Sequence, residues 1–351
     1  MIDRVLIEIT RRCNLNCEFC YNSSGKKETE EMNTEDVYEI IRKSHKCGAR
    51  EIIISGGEPC LHPSFSSIVN FCMRQGPKTT IVSNGMELKE EIVLLNKDEI
   101  WLQLSLDGAS EMTDDKIRGK GHYRKCVNLM EKMHDNKYEN GIIRMTISKE
   151  NINDIEEYYK IAKKYNFIPS FSFISRSGRA KVNWNEILLS NEEKWNVIEQ
   201  IKNLHKEYES YFRIRNKEYM NGIKNIIPSK GCDLLENDLF SPLIKTDGSV
   251  QPCQRLYDSS FTIGNIFADD LEFILSNHNI KMKELIEKIN KRNNILEEKC
   301  RPCIMHEICK KGCLGESIDN GGFNHLPNDC FARKKEFSKN IFLEVVKDDF
   351  Y

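Results

Sequence analysis

The sequence lacks any hydrophobic run long enough to cross a membrane. Its longest aliphatic runs, such as Ile92–Leu95, are only about four residues long, whereas a membrane-spanning helix needs about 20 apolar residues. The opening segment carries the charged side chains of Asp3, Arg4 and Glu8, so it cannot supply the apolar part of a signal peptide. We therefore predict a cytoplasmic protein with no membrane partner.

The sequence also lacks an excess of either charge. Its 52 Lys and Arg residues are balanced by 54 Asp and Glu residues, which gives a formal net charge of −2. A protein whose main partner is a nucleic acid usually carries a strongly basic surface. The composition therefore predicts no nucleic-acid partner.

Cysteine, in contrast, is abundant. The chain contains 14 cysteines, and a reducing compartment does not keep structural disulfides. Thiols in such a compartment usually bind a metal, take part in chemistry or lie buried. The spacing of the cysteines is therefore the main guide to function.

The N-terminal half repeats one pattern, a short β-branched run followed by a longer amphipathic stretch, about every 25 to 30 residues. Six such units in series predict an α/β fold with a parallel sheet, an open partial (β/α)6 TIM barrel, because eight units would need more chain. Asn33 is a suitable N-cap for the first helix. The predicted strands are Val5–Thr10, Ile52–Ser55, Thr79–Ser83, Ile100–Leu106, Ile142–Ile147 and Ser170–Ile174. The predicted helices are Glu35–Cys47, Phe65–Arg74, Glu87–Leu95, Arg124–Asn136 and Asp154–Tyr165.

The pattern divides the 351 residues into four segments, and at about 150 residues per domain two or three domains are expected. Residues 1–181 form the predicted barrel. Residues 182–228 are polar and charged, without strand alternation, and are predicted to be a helical connector. Residues 229–335 are rich in cysteine and turn signals and are predicted to form a second domain held by metal. Residues 336–351 are predicted to be a closing helix or tail.

Three cysteines follow the first predicted strand in a Cys-x3-Cys-x2-Cys spacing: Cys13, Cys17 and Cys20. This position lies at the C-terminal edge of the sheet, where parallel α/β folds place their active sites. Three thiolates on one loop suit a 4Fe-4S cluster with one iron left open for a substrate or cofactor. A zinc knuckle or three buried thiols is the alternative, although structural zinc sites normally have four ligands.

This triplet resembles that of the radical S-adenosylmethionine (radical SAM) enzymes. The resemblance implies a 4Fe-4S cluster held by the three cysteines, with S-adenosylmethionine bound to the open iron. Reductive cleavage then gives a 5′-deoxyadenosyl radical that abstracts hydrogen from a substrate. The family's Gly-Gly-Glu-Pro element is present one βα unit later. The residues that the resemblance implies as S-adenosylmethionine contacts are Phe19, Gly56, Gly57, Glu58, Pro59, Ser83, Asn84, Ser105, Asp107 and Arg118.

Some of these roles can also be understood from the residue types. Paired glycines such as Gly56 and Gly57 let backbone approach a ligand closely. The carboxylate of Glu58 can accept from an ammonium, and the guanidinium of Arg118 can pair with a carboxylate. Taken singly, each residue would also suit a turn, a cap or a surface charge. Their common placement at predicted strand ends is what favours a binding site.

Seven further cysteines lie between residues 232 and 330 with spacings that resemble the SPASM extension of radical SAM enzymes. The resemblance implies two auxiliary iron-sulfur clusters, and therefore three clusters in the whole chain. A pair of structural zinc sites is the alternative, since spacing alone does not identify the metal. The implied ligands of the outer cluster are Cys300, Cys303, Cys309 and Cys330. The implied ligands of the inner cluster are Cys232, Cys253 and Cys313.

The inner set departs from the pattern of sulfatase-maturing relatives, which have an additional cysteine between the positions of Cys232 and Cys253. Asp238 lies about where that cysteine would be, with Asp233 and Glu236 nearby. Either a carboxylate completes the inner cluster or one iron stays open. We hypothesise the open site, at which a substrate thiolate or amide could bind.

The SPASM resemblance implies a radical SAM oxidoreductase that crosslinks or otherwise oxidises a ribosomally made peptide. Alternatives are a radical SAM dehydrogenase, a heme-pathway or other small-molecule enzyme, and a sulfatase-maturing enzyme. Against the last stands Gln254, because that group has an acidic catalytic base after the cysteine that matches Cys253. Outside enzymes, an iron-sulfur electron carrier or a zinc scaffold remains open. The sequence identifies no catalytic acid or base.

The same resemblance implies partners. A reduced flavodoxin or ferredoxin is the expected electron donor, because cleavage of S-adenosylmethionine needs a low-potential cluster. The first predicted strand begins near Val5, which leaves no room for an N-terminal leader-binding domain. A leader peptide would therefore bind a separate protein or the connector, or would not be needed.

The cysteines outside these sets show no mutual spacing, and free cysteine behaves as a small hydrophobe. We therefore predict that Cys47, Cys60, Cys72 and Cys126 belong to the core. His62 follows the Gly-Gly-Glu-Pro element closely, and we predict a capping or structural role for it rather than a catalytic one.

Overall fold

The computed structural model describes residues 2–212, 232, 234, 240–303, 305, 306 and 309–348, with residues 340–348 described by their backbone alone. Part of the predicted connector, and with it Asp233, Glu236 and Asp238, lies outside the described residues. No helix in the described part of the chain is long and apolar enough to cross a membrane.

Six strands in the first half of the chain pair in sequential order and in parallel. Each is separated from the next by at least one helix, which is the arrangement expected for a partial barrel. The prediction of an α/β partial barrel is therefore confirmed. The strands are β1 (Arg4–Glu8), β2 (Glu51–Ser55), β3 (Lys78–Ser83), β4 (Ile100–Ser105), β5 (Gly141–Ile147) and β6 (Ile168–Phe173). The helices among and after them are α1 (Thr34–Lys46), α2 (Phe65–Gln75), α3 (Glu90–Leu94), α4 (Glu111–Arg118), α5 (His122–Asp135), α6 (Ile155–Tyr165), α7 (Trp184–Ile187) and α8 (Asn191–Tyr208).

Helix α4 is the one barrel helix that the hydrophobic pattern did not predict. Its apolar residues are Met112, which is exposed, and Ile117, which is buried, so it has no apolar stripe of helical period. The helix begins at an N-cap, where the Ser110 hydroxyl accepts a hydrogen bond from the Thr113 amide at 3.2 Å. Capping rather than hydrophobic periodicity therefore marks this helix. The predicted cap on α1 is confirmed, since Asn33 accepts from the Glu35 amide.

Burial alternates along β4 and β5 and shows which face covers the core. Ile100, Leu102 and Leu104 are fully buried beneath the helices, whereas the residues between them are half-buried. The same alternation places Arg144 among the half-buried positions of β5. Because successive side chains on a strand point to opposite faces, these half-buried positions line the barrel interior.

The sheet does not stop at β1. Strand β7 (Leu243–Ile244) pairs with β1 in parallel, and β8 (Ser249–Gln251) and β9 (Gly264–Asn265) follow in antiparallel pairing. The nine strands thus form one sheet in the order β6-β5-β4-β3-β2-β1-β7-β8-β9. The first part of the cysteine-rich segment is therefore built onto the open edge of the barrel, where it can contribute to the same interior.

The cysteine-rich segment continues with helices rather than strands. The polar helix α8 packs against the C-terminal helix, where Lys202 donates to Glu336 at 2.5 Å, so the connector and the chain end support each other. The helices are α9 (Leu271–Ile274), α10 (Ile280–Cys300), α11 (Leu314–Asp319) and α12 (Cys330–Asp348).

We predict that Tyr138→Phe lowers the free energy of unfolding by about 1 to 3 kcal/mol, the usual cost of losing a partner for a buried polar group. The buried Tyr138 hydroxyl accepts from the Leu102 amide at 2.8 Å and lies within 3.0 Å of the Ile100 carbonyl. Urea unfolding would measure the change. Tyr211→Phe is the matched control: this tyrosine is 45% exposed, and we expect a change below about 0.5 kcal/mol. Equal effects of the two variants would contradict the prediction.

Candidate functional site

The loop that carries Cys13, Cys17 and Cys20 is joined to the Gly-Gly-Glu-Pro element by main-chain hydrogen bonds. The Gly57 amide donates to the Thr10 carbonyl at 2.7 Å, and the Glu58 amide donates to the Arg12 carbonyl at 2.8 Å. These bonds continue the pairing of β1 and β2 beyond the ends of the strands. The start of the cysteine loop is thereby fixed at the C-terminal edge of the sheet.

The two glycines permit this close approach. A Cβ atom at Gly56, where φ is +145°, would lie 2.3 Å from the Thr10 carbonyl oxygen, and one at Gly57 would lie 2.3 Å from that of Arg12. Neither separation is sterically possible. The sequence predicted close approach to a ligand, whereas the structure shows that the glycines admit the backbone of the cysteine loop itself.

The other side of the cysteine loop is held by a turn after β6 that the sequence did not single out. The Arg179 guanidinium donates to the carbonyls of Cys17 at 2.8 Å and Ser24 at 2.7 Å, and its amide donates to the Cys20 carbonyl at 3.0 Å. Gly178 has φ of +52°, and a Cβ there would lie 2.2 Å from the Cys20 carbonyl oxygen. The only sequence signal for this clamp was a glycine and an arginine just beyond a predicted strand.

The three thiols of the loop are free and half-buried, and they interact electrostatically with one another. Burial raises the pKa of Cys13 to about 12 and that of Cys17 to about 11, although Arg118 opposes the shift at Cys17. In the absence of a metal, Cys13 and Cys17 therefore stay protonated at neutral pH. A metal centre that binds thiolates would offset the cost of ionising them.

Glu58 joins the ends of β2 and β3. Its carboxylate is fully buried and accepts hydrogen bonds from the Ser83 hydroxyl at 2.8 Å, the Asn84 amide at 2.7 Å and the Cys60 thiol at 2.8 Å. Burial raises the pKa of Glu58, and the hydrogen bonds from these donors oppose the rise. The Asn84 side chain in turn donates toward the Cys13 sulfur, at 3.8 Å. The structure therefore brings Glu58, Ser83 and Asn84 together beside the cysteine loop.

Asp107 and Arg118 form a second group at the ends of β4 and α4. Asp107 is fully buried, and its carboxylate accepts from Arg118 Nε at 2.5 Å and from the Thr146 amide at 2.6 Å. Burial raises the pKa of Asp107, and the Arg118 charge opposes the rise. Arg118 also interacts electrostatically with Cys17. This ion pair therefore lies close to the cysteine loop, as the sequence predicted for both residues.

Asp114 and His122 connect these two groups, and the sequence did not identify them. Asp114 accepts from the Asp107 amide at 2.7 Å through one oxygen, and its other oxygen lies 2.5 Å from His122 Nδ1. His122 Nε2 lies 2.9 Å from the Asn84 carbonyl oxygen, which can only accept, so this nitrogen carries a proton. Both side chains are fully buried. They hold the ends of β3 and β4 in a fixed relation.

The other residues predicted to contact S-adenosylmethionine lie at a strand end, in a turn and in an apolar cluster. Ser105 is the last residue of β4 and pairs in register with Arg144. Pro59 opens a short 3-10 turn. Phe19 packs against a small apolar cluster that includes Trp184. The predicted capping or structural role of His62 is confirmed, because its Nδ1 accepts from the amide of Ser64, the N-cap of α2, at 3.1 Å.

The seven C-terminal cysteines lie in two groups. One cavity is lined by all four cysteines of the outer set together with Lys311 and Arg333, and an Arg333 nitrogen lies 3.0 Å from the Cys309 sulfur. The members of that set are Cys300, Cys303, Cys309 and Cys330. In the inner set, burial raises the pKa of Cys253 to about 12, and Cys313 and Cys232 add to the rise.

Within the described residues, no three His, Cys, Asp or Glu side chains converge closely enough to hold a single metal ion. Sulfurs that bind different irons of one four-iron cluster stand farther apart than ligands that share one ion. The donor set in each group, cysteine sulfur with cationic or amide side chains beside it, fits an iron-sulfur cluster.

The four cysteines outside the sets lie in or against the core, as predicted. Cys72 and Cys126 are fully buried, and Cys47 and Cys60 pack against the core from half-buried positions. Cys60 also donates its thiol hydrogen to Glu58, a contact that the sequence did not predict.

Two family models match two separate parts of the chain. Residues 7–162 match the family model described as the radical SAM superfamily, and residues 236–304 match that of the SPASM iron-sulfur cluster-binding domain. The chain is 25% identical over 329 residues to mycofactocin maturase MftC of Mycolicibacterium smegmatis, a match that covers 92% of this chain and 79% of the relative.

Two solved structures share the fold along nearly the whole chain. Native anSMEcpe with bound AdoMet and Cp18Cys peptide superposes with a TM-score of 0.73 at 19% identity, covering 99% of each chain. Streptococcus suis SuiB bound to precursor peptide SuiA superposes with a TM-score of 0.71 at 17% identity, covering 95% of this chain and 76% of SuiB. At these identities the likeness shows the fold alone.

We predict that Asp114→Ala lowers the free energy of unfolding by about 3 to 5 kcal/mol, since it removes one partner of a buried, charge-assisted pair. Asp114→Asn should cost less, because an amide can still accept from Asp107 and can donate to His122 Nδ1. Chemical unfolding of both variants would measure this order. Asp135→Ala, at an exposed position on α5, is the control and should change stability by less than about 0.5 kcal/mol. An Asp114→Ala variant as stable as the control would refute the linking role.

Proposed function

We propose that this chain, a radical SAM protein with a C-terminal SPASM domain, is an oxidoreductase that modifies a ribosomally made peptide. The observation that carries the proposal is the match to a named peptide maturase, MftC, across both domains, over 79% of its length. The likeness in fold to SuiB, solved with its precursor peptide, agrees with this choice.

In this proposal Cys13, Cys17 and Cys20 hold a 4Fe-4S cluster, and S-adenosylmethionine binds beside them. When bound, these groups would supply the radical chemistry that removes a hydrogen atom from the peptide. The protein's own task is to position these groups and to exclude water. The main-chain bonds to Gly57 and the Arg179 clamp hold the cysteine loop for this purpose.

We propose that different residues bind the ammonium group and the carboxylate group of S-adenosylmethionine. The Glu58 carboxylate, held by Ser83 and Asn84, can accept from the ammonium group. Asp107 orients Arg118 through Nε, and the other guanidinium nitrogens can pair with the carboxylate group. Phe19, Ser105 and the backbone around Gly56 and Pro59 complete the proposed contacts, as carried over from the sequence motif.

Two auxiliary clusters are proposed, which makes three iron-sulfur clusters in all. Cys300, Cys303, Cys309 and Cys330 would hold the outer cluster, which their shared cavity supports. Cys232, Cys253 and Cys313 would hold the inner cluster, with one iron left for a substrate group. Their place in the reaction is to accept the electron that an oxidative crosslink releases.

The remaining parts of the proposal concern organisation and partners. We propose a barrel over residues 1–181, a connector over 182–228, a SPASM domain over 229–335 and a C-terminal helix over 336–351. A reduced flavodoxin or ferredoxin would supply electrons in the cytoplasm. A separate protein would present the leader of the peptide substrate, if that substrate has one.

Cysteine variants should separate the two roles. We predict that Cys17→Ala abolishes cleavage of S-adenosylmethionine, because one of only three ligands of the first cluster is lost. Cys303→Ala should keep some cleavage but lose modified peptide, because the outer auxiliary cluster is lost instead. Iron and sulfide content, 5′-deoxyadenosine and peptide mass would be measured on anaerobically reconstituted protein.

Cys47→Ala is the matched control, since Cys47 belongs to neither set and only packs against the core. It should keep the iron content and activity of the unsubstituted protein. The same behaviour in Cys17→Ala and Cys303→Ala, with both variants folded, would contradict the division of roles.

The proposed function itself is tested with a candidate precursor peptide. Reduced, reconstituted protein should convert the peptide to a product two hydrogens lighter and form 5′-deoxyadenosine at the same time. Mass spectrometry would read both, and omission of S-adenosylmethionine is the control. Loss of mass from a small molecule and not from any peptide would instead favour the dehydrogenase alternative.

A further inference from the structure

A carboxylate inside the barrel has no role in the proposed binding of S-adenosylmethionine. Glu8, the last residue of β1, is 1% exposed. Its Oε1 accepts from the Tyr21 hydroxyl at 2.6 Å and from Asn22 Nδ2 at 3.0 Å. Its Oε2 accepts from the Tyr257 hydroxyl at 3.0 Å. Three neutral donors therefore surround one buried carboxylate.

Glu8 and its two tyrosine partners join the loop that carries the first cysteine set to the segment that carries Cys253 of the inner set. Tyr21 directly follows Cys20, and Tyr257 comes four residues after Cys253 in the sequence. Their rings meet edge to face with centroids 5.2 Å apart. Glu8 is buried, but both tyrosines are only half-buried. If a substrate reacts beside the first set and passes an electron to the inner set, we expect it to contact this junction.

Tyr257 is held in place by Lys245 as well as by Glu8. The ammonium of Lys245 lies 4.1 Å from the centre of the Tyr257 ring and donates to the Tyr257 carbonyl at 2.7 Å. The cation above the ring and the carboxylate at the hydroxyl fix the orientation of the phenol. Its hydroxyl is thus a preorganised donor to Glu8.

The proposed oxidation needs a proton acceptor. Hydrogen abstraction leaves a carbon radical on the peptide. When that carbon forms a bond to a second group of the peptide, X–H, the C–X bond forms and the X–H bond breaks. One electron then goes to an oxidised auxiliary iron-sulfur cluster, which is reduced, and one proton is released. A site that excludes water must provide a base for that proton.

The other carboxylates near the cysteine loop are already engaged. Glu58 accepts from Ser83, Asn84 and Cys60, and Asp107 is paired with the charge of Arg118. Gln254, next to Cys253, has an amide that cannot take a proton. Glu8, in contrast, is not among the residues proposed to bind S-adenosylmethionine, and it accepts hydrogen bonds from neutral donors alone. Burial raises the pKa of Glu8, although these donors and the Lys245 charge oppose the rise, and the raised pKa makes it a stronger base than an exposed carboxylate.

We propose that Tyr257 takes the substrate proton at its hydroxyl while its own proton passes to Glu8, so that the Glu8 carboxylate is the proton acceptor of the oxidation. The X–H bond breaks, a Tyr257 O–H bond is remade, and Glu8 becomes a carboxylic acid that later loses the proton to solvent. The inference rests on the proposed function, because it needs a peptide that is oxidised. Tyr257 is the group that touches substrate, and Glu8 acts through it.

The test uses Tyr257→Phe and Glu8→Gln in reconstituted protein with the precursor peptide. Both variants should still form 5′-deoxyadenosine, because hydrogen abstraction does not need the base. The modified peptide formed per 5′-deoxyadenosine should fall by about 100-fold, the lower range of the usual contribution of a general base. Tyr123→Phe is the control: its hydroxyl donates to the Ala109 carbonyl, and the ratio should not change.

A second measurement, the pKa of Tyr257 with and without Glu8, tests the interaction of these two residues without relying on activity. Burial raises the pKa of Tyr257, and the Glu8 carboxylate adds to the rise, while Arg11 opposes it and Cys20 adds a smaller increase. Glu8→Gln should therefore lower the pKa of Tyr257. Phenolate absorbance would show this by comparing two differences: Glu8→Gln minus Glu8→Gln/Tyr257→Phe, and unsubstituted protein minus Tyr257→Phe, with Lys245 present in all four proteins.

The outcomes are distinguishable. If Tyr257→Phe forms as much product per 5′-deoxyadenosine as the unsubstituted protein, the proton role is overturned and the proposed function stands. If the unsubstituted protein modifies no peptide, the proposed function is overturned and this inference with it. Loss of 5′-deoxyadenosine itself in both variants, with cluster absorbance retained, would show that the pair acts before proton transfer and would also overturn the inference.

Discussion

The structure depends on two main-chain hydrogen bonds, from the amides of Gly57 and Glu58 to the carbonyls of Thr10 and Arg12. They extend the parallel sheet into the cysteine loop and bring the loop against the Gly-Gly-Glu-Pro element. Because no side chain fits between these segments, the positions of the three thiols are set by backbone geometry. Every neighbouring side chain of the site is arranged around that fixed edge.

Much of the barrel could be predicted because its signals are local. Alternating β-branched runs and amphipathic stretches located all six strands, and the cap at Asn33 located the start of α1. Helix α4 was not predicted, since only its cap distinguishes it from a loop. This helix carries Asp114 and Arg118, so its omission also concealed how those two residues reach the site.

The site was predictable where a motif places residues at strand ends, as for Glu58, Asn84 and Asp107. It was not predictable where two side chains meet only through the fold. Asp114 and His122 lie eight residues apart in an unremarkable stretch, and Arg179 reaches the cysteine loop from 162 residues away. Long-range contacts of this kind have no periodicity or spacing in the sequence.

The sequence predicted a second, cysteine-rich domain but did not indicate that strands β7, β8 and β9 extend the barrel sheet. This continuity places Tyr257 against Tyr21 and Glu8, and it brings the segment with Cys253 next to the loop with Cys20. Short strands of two or three residues carry almost no sequence signal. The junction through which substrate chemistry would pass was therefore visible only in the fold.

The central claim, that three sets of cysteines on one chain each hold an iron-sulfur cluster, is tested most directly by Mössbauer spectroscopy of protein reconstituted with iron-57. The account predicts three four-iron clusters, with a non-thiolate iron in two of them. Binding of S-adenosylmethionine should change the spectrum of one of those two irons. A spectrum of a single cluster, with zinc bound at the C-terminal cysteines, would contradict the account.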